Sequence, residues 1–351
     1  LEPGRENPYR LWAEVGNEPS VEIDGKVLCL SFIPERKVVL EEGTGEWCGN
    51  CPLGILAIEN LEKLYPGRFI PVAIHNGDSY AMNSYLAALD IIAFPTGRVN
   101  RIYEGSPMTR DFEFTGENTF QMLVEKALNE FTPAEVRVTG GYTEENNQRI
   151  ALCTEITFAA DRQATDYRML YVVREDDLPG WQYNYFSSVV HPNLGEWGKD
   201  GKYGTSRANV LFRDVARSCI GDYTGLSGLI PATVSAGVPI AVPAEFDVSG
   251  IISDPDKVSV VSMLIDGATG EIVNADVINL KREASVKPVT EEKVRIRYER
   301  DRIVVESAVA TNISVRLYSP DGKIIAGKEG VGAAVPIVLP VHGYRGTAVL
   351  Q

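Results

Sequence analysis

Trp47-Cys48-Gly49-Asn50-Cys51-Pro52 places two thiols two residues apart at the mouth of a predicted helix, the spacing of a dithiol that can close to a disulfide and reopen. Both sulfurs fall in the first helical turn, where the helix N-terminus favours negative charge on the leading one. Cys48 is therefore the candidate nucleophile: it attacks a substrate disulfide, and Cys51 resolves the mixed disulfide from one turn further along. Cys48 is expected to be partly exposed and Cys51 covered by the first turn. A bare pair at this spacing can also be half of a zinc site. Zinc ribbons need a second pair of ligands, and Cys29, Cys153, Cys219, His75, His191 and His342 are all isolated in the sequence. The redox reading is preferred, and no metal or cofactor is expected.

The elements that must position this pair are legible around it. Val38-Val39-Leu40 reads as a short apolar strand and residues 41–46 as a Gly-rich turn. A helix is expected over about residues 50–65, with Leu53, Ala57, Leu61 and Leu64 at helical spacing and Pro66-Gly67 as a stop. Pro52 belongs in its first turn, where a missing N–H matters little. A strand over 69–75, a helix over 79–90 and a strand over 97–103 follow, and residues 123–131 read as a last helix before Thr132-Pro133.

This βαβα order, with Ala93-Phe94-Pro95-Thr96 just before a strand and Pro95 47 residues after Cys48, resembles the thioredoxin family. The resemblance implies a cis Phe94–Pro95 bond packed against the cysteines, with Trp47, Phe94, Pro95 and Thr96 presenting an extended substrate peptide. A trans proline in an ordinary loop is the alternative. It also implies a proton-managing acid six residues before Cys48, which is Glu42. A buried carboxylate has a raised pKa and can act as a base near neutrality, whereas a solvent-facing Glu beside Glu41 cannot, and both placements are open. The lysine that thioredoxins carry on the next strand has no counterpart in Val72-Ala73-Ile74-His75.

Glu41 to Pro52, Ile74-His75-Asn76-Gly77-Asp78 and Phe94-Pro95-Thr96 together resemble the Bacteroidetes 28-kDa outer membrane protein family. Ala208-Asn209-Val210-Leu211-Phe212-Arg213 and Val258 to Leu280 resemble its second domain, so the likeness covers most of residues 36–282. It implies a thioredoxin-like domain joined to an immunoglobulin-like β-sandwich, in a cell-envelope protein of the periplasm or outer membrane, lipid-anchored in its precursor.

The net charge of −14 argues against nucleic acid and anionic membrane surfaces as partners. No apolar run approaches the roughly 18 residues of a membrane span. The chain opens Leu1-Glu2-Pro3 with neither Met nor an apolar signal region, as expected of a processed form, so export is inferred from the resemblance. Five cysteines is an odd number; Cys153 and Cys219 can bridge or remain two buried thiols, and the second is the reading taken.

From residue 134 the apolar period changes to two. Segments 135–139, 149–158, 168–174, 245–248, 258–266 and 272–278 read as strands of a sandwich. Residues 176–223 are rich in aromatics, among them Trp181, Tyr183, Tyr185 and Trp197, and are either a binding loop or core. Asp254-Pro255-Asp256 reads as a turn and His191 as a loop histidine. Lys287-Pro288 marks a second linker, after which the net charge is +2, against −16 for residues 1–287. Six strand candidates follow, and Asn312 to Ile325 with His342-Gly343-Tyr344-Arg345-Gly346 resembles the sorting domains of Bacteroidetes secreted proteins. A plain accessory β-domain is the alternative.

The expected organisation is an N-terminal extension (1–35), a thioredoxin-like domain (36–133), a β-sandwich (134–286) and a small C-terminal β-domain (287–351), that is, α/β plus all-β. Two functions remain open. One is a thiol-disulfide oxidoreductase acting on protein thiols or disulfides; the other is a surface adhesion or receptor module, engaging a surface protein, that uses the fold as a scaffold.

Overall fold

In the computed structural model of the chain, residues 2–280 are described except 13, 16–17, 20–21 and 144–146, and beyond 280 the backbone of the strands named below. The chain divides into two compact units, residues 1–283 and 284–351. The first opens with two antiparallel pairs, β1 (Glu6–Leu11) with β4 (Ile23–Leu28) and β2 (Glu14–Val15) with β3 (Glu18–Pro19).

β5 (Val38–Thr44) and β6 (Phe69–His75) run parallel, joined by α1 (Pro52–Leu64). Every residue of both strands is buried, Glu41 and Glu42 included, so both faces are covered. α1 begins at Pro52 rather than Asn50, because residues 48–51 form tight turns with Cys51 N–H donating to the Cys48 carbonyl at 3.1 Å. α2 (Asn83–Ala88) is shorter than expected. Asp78 holds the residues before it in a turn, its Oδ1 accepting from Tyr80 N–H at 3.0 Å.

β7 (Thr96–Val99) pairs antiparallel with β5, and β8 (Tyr103–Gly105) with β7. α3 (Phe120–Leu128) starts three residues before the expected 123 and packs Phe120, Val124 and Ala127 into one core with Leu40, Leu61 and Val99.

The remaining strands of this unit are β9 (Ala134–Tyr142), β10 (Arg149–Phe158), β11 (Tyr167–Glu175), β12 (Leu178–Tyr183), β13 (Arg207–Phe212), β14 (Val215–Ile220), β15 (Pro239–Asp247), β16 (Val258–Asp266) and β17 (Ile272–Asn279). Four of them extend the first sheet, which runs β17-β16-β11-β14-β6-β5-β7-β8. The join is a parallel bridge between Val215 and Ala73, with Ala73 N–H donating to the Asp214 carbonyl at 2.8 Å. Residues 133 and 134 therefore lie inside one unit. β15-β10-β9 form a second sheet whose Val136, Ile150 and Ile156 pack on Met169, Tyr171 and Val260 of the first. β15 is longer than the expected 245–248 although it contains Pro239 and Pro243, since it pairs with β10 alone and an edge strand tolerates proline. The fold is mixed α/β and dominated by strands.

In the second unit, β18 (Val294–Glu299), β19 (Arg302–Ser307) and β22 (Ile337–Pro340) form one antiparallel sheet. β20 (Asn312–Tyr318), β21 (Ile324–Val331) and β23 (Val349–Leu350) form another. Lys287-Pro288, the turn at 319–322 and His342 to Gly346 lie outside the described residues.

Candidate functional site

Cys48 and Cys51 are joined by a disulfide at the start of α1, with Cα atoms 5.4 Å apart. The partly exposed Cys48 expected from its helix-end position is not found. Cys48 is 4% exposed and Cys51 fully buried. The cover comes from β12 and the two residues after it. Tyr183 N–H donates to the Glu46 carbonyl at 2.9 Å and Tyr185 N–H to the Gly49 carbonyl at 3.0 Å. The buried Gln182 amide donates to the carbonyls of Cys48 at 2.7 Å and Gly45 at 3.2 Å. A Cβ at Gly49 would run into the Tyr185 ring, so glycine at this position is what lets the tyrosine lie against the loop.

On the other flank, the Phe94–Pro95 bond is cis. Pro95 is buried, and Phe94 and Thr96 are half-buried at the start of β7. Trp47 is 47% exposed, packs edge-on to Phe94 with ring centroids 5.6 Å apart, and donates its indole N–H to the Asn76 carbonyl at 2.7 Å. Thr96 Oγ1 donates to the Ala93 carbonyl at 2.7 Å. Trp47, next to Cys48 in the chain, thus meets Phe94, and Pro95 and Thr96 follow Phe94 into β7.

Glu42 is buried on β5 against the first turn of α1. A Cβ at Gly54 would run into Glu42 Oε1 and lie 3.4 Å from Pro95 Cβ, so Gly54 is the gap that admits the acid. Loss of solvent pushes the Glu42 carboxyl well above its ordinary pKa, and Oε1 has no hydrogen-bond partner among the described residues. Its neighbour Glu41 faces the opposite side and is fully paired. Arg101 grips it with Nε at 2.8 Å and Nη2 at 2.7 Å, and Tyr85 Oη donates to it at 2.6 Å. Two successive buried acids on one strand therefore have opposite chemistry, one ion-paired and one isolated.

A cavity of about 100 Å3 lies under α1, lined on the sheet side by Glu42, Thr44, Ala73 and His75 and closed by Phe212 and Asp214. His75 is 1% exposed; its Nδ1 is 2.7 Å from Asp78 Oδ2, and its Nε2 has no partner among the described residues. Burial pushes the Asp78 carboxyl up, but the hydrogen bonds from His75 and from the Glu46 and Tyr80 N–H groups outweigh it and hold the pKa below its ordinary value. Asp214, paired with Arg174 at 2.8 Å, is raised by burial to about 6.

Sequence reasoning gave no role to Gln182 or Asp214, which lie more than 130 residues from the cysteines, and named Tyr185 only among the aromatics of 176–223 and His75 only within a family motif. The aromatic density of 176–223 was the available signal. That segment divides: Phe186 and Trp197 are buried, whereas Trp181 and Tyr185 are exposed. Cys29, Cys153 and Cys219 are free thiols, so Cys153 and Cys219 are not bridged, and burial pushes Cys219 up to about 12. His191 accepts from Asn193 N–H, and Asp254 from Asp256 N–H, within their own loops. No helix among the described residues is long and apolar enough to cross a membrane, and none of their His, Cys, Asp and Glu side chains form a group of three or more placed to hold a metal ion.

No protein-family model and no curated protein matches the chain. Among solved structures, a protein of Agrobacterium tumefaciens aligns over 71% of this chain and 96% of its own at 15% identity and a TM-score of 0.41. HBP35 of Porphyromonas gingivalis aligns over 87% of this chain and 97% of its own at 20% identity, with a TM-score of 0.51, and the chain shares its fold.

Proposed function

We propose that the chain is a thiol-disulfide oxidoreductase of the cell envelope, built on a thioredoxin-like unit over residues 36–133, with an immunoglobulin-like sandwich over 134–286 and a small sorting-type β-domain over 287–351. The observation that carries this reading is the Cys48–Cys51 disulfide at a helix start, with cis Pro95 and the buried Glu42, unpaired among the described residues, against the same helical turn. In its dithiol form Cys48 attacks a substrate disulfide, Cys51 displaces the substrate from the mixed disulfide, and Glu42 takes the Cys51 proton. Trp47, Phe94, Pro95 and Thr96 supply the surface against which the substrate peptide lies. The envelope location and a lipid anchor on the precursor follow from the resemblance to the 28-kDa outer membrane protein family.

The cover over Cys48 favours a second reading, a surface adhesion or receptor scaffold with a static disulfide. Turnover of a peptide disulfide by the whole chain, with dithiothreitol as donor, separates the two. The oxidoreductase turns over with a potential within about −270 to −120 mV, and Cys48→Ser abolishes it. No turnover together with a potential well below that range leaves the scaffold reading.

A further inference from the structure

The cavity under α1 is lined by two residues that each carry a buried polar atom without a partner among the described residues. β5 and β6 pair Glu42 with Ala73 and Thr44 with His75, and side chains alternate along a strand, so these four share the face that lines it. Asp78 Oδ2 also accepts from Glu46 N–H at 2.9 Å, which identifies it as an acceptor and makes His75 Nδ1 the donor to it. The second nitrogen, Nε2, is buried without a partner among the described residues. Glu42 lines the same cavity, and burial raises its carboxyl pKa well above the ordinary value.

Two buried polar atoms thus belong to one lining, and each would be costly if left dry, by about 1–3 kcal/mol. A volume of about 100 Å3 holds several waters, since one needs about 10–15 Å3 on this measure. The other titratable groups lining the cavity are accounted for. Asp214 is paired with Arg174; Glu62 and Arg213 form an ion pair at 3.2 Å with side chains 28% and 52% exposed; Glu59 and Tyr203 complete the wall. The Glu62–Arg213 end therefore reaches solvent, whereas the route past Cys48 is covered by Gln182 and Tyr185.

We propose that Glu42 exchanges its proton with solvent through cavity water and His75, leaving on the Glu62–Arg213 side instead of past Cys48. This rests on the oxidoreductase reading and deepens it. Once Glu42 has released its proton through the cavity, the Cys51 S–H bond breaks during resolution and its proton goes to the Glu42 carboxylate. The Cys51–Cys48 S–S bond forms, and the bond from Cys48 to the substrate sulfur breaks. That sulfur leaves with the electron pair as a thiolate and takes a proton from solvent. The cysteine pair loses the two electrons that the substrate disulfide gains, and a dithiol donor later returns them. Glu42 then passes its proton through water to His75 Nε2, and the imidazolium, held by Asp78, releases it through the cavity. His75 is a positioning residue in this scheme because it acts through Glu42.

The test uses the whole chain, reduced with dithiothreitol and mixed rapidly with a peptide disulfide, with the rate of resolution followed from pH 5.5 to 9. His75→Gln is expected to slow resolution about 100-fold and remove one ionisation from the pH profile, and added imidazole to restore part of the rate in His75→Gly. Ala73→Leu fills the cavity while leaving Glu42 and His75 in place, and is expected to slow resolution likewise; it decides the matter should the His75 variants fail to fold. Resolution at the wild-type rate and pH profile in the folded variants overturns the relay and leaves the oxidoreductase reading standing. A wild-type chain that exchanges no disulfide overturns that reading, and the relay with it.

Discussion

Glu41 and Glu42 show how one residue's position along a strand decides its chemistry. Alternation sends Glu41 to a bidentate Arg101 and a tyrosine hydroxyl, and Glu42 to a cavity where its Oε1 has no hydrogen-bond partner among the described residues. Because folding raises the Glu42 pKa, the folded chain holds this proton more tightly than the unfolded chain. Its contribution to stability is full below the ordinary value of 4.5 and is lost as pH rises through the folded value. Asp214, raised to about 6, acts in the same direction between about pH 4 and 6. Glu42→Gln removes the Glu42 part of this slope. Its melting temperature should match the wild type near pH 4 and exceed it at pH 8, and parallel melting profiles across that range would show that Glu42 does not carry a raised pKa.

At the scale of elements, β12 and its extension act as a cover on the disulfide loop. Gln182 is fully buried and its amide adds a second hydrogen bond to the Cys48 and Gly45 carbonyls; with two buried bonds at about 0.5–1.5 kcal/mol each, Gln182→Ala should destabilise the chain by about 1–3 kcal/mol in urea unfolding. Tyr185 is 66% exposed and contributes little core, yet its ring lies on Gly49. Tyr185→Ala should therefore leave stability within about 0.5 kcal/mol while speeding reduction of the Cys48–Cys51 disulfide by dithiothreitol. An unchanged reduction rate would mean that access to the sulfurs is limited elsewhere.

At the scale of the molecule, the strands around the cysteines do not close a core alone. Val39, Ile70, Val72 and Ile74 share one apolar cluster with Leu170, Val172, Ala216, Val261 and Met263. Removing that cover exposes side chains worth about 1.5–3 kcal/mol each, a total comparable with the about 5–15 kcal/mol stability of a domain. Residues 36–133 expressed alone should lack a cooperative unfolding transition, whereas residues 1–283, one compact unit, should keep it. A cooperative transition in the short fragment would show that its core is self-sufficient.

Much of the local order was legible before any coordinates. Cys48 and Cys51 at a helix mouth and strands such as 149–158 and 258–266 follow from spacing, turn residues and apolar period, which are properties of neighbouring residues, whereas the cis bond at Pro95 was implied by the resemblance to thioredoxins alone. Helix ends were displaced by one to four residues, because backbone turns at 48–51 and the Asp78 side-chain bond to Tyr80 N–H are local contacts that periodicity does not register. The burial of Cys48 and the isolation of Glu42 were not legible. The first depends on Gln182 and Tyr185 and the second on which face of β5 meets α1, and both contacts join residues far apart in the chain. Residue types and spacing determined that a dithiol pair stands at a helix start. Only the tertiary structure decided that β12 covers it and that a polar cavity lies behind it, because burial and pairing come from segments that the chain brings together only when it folds.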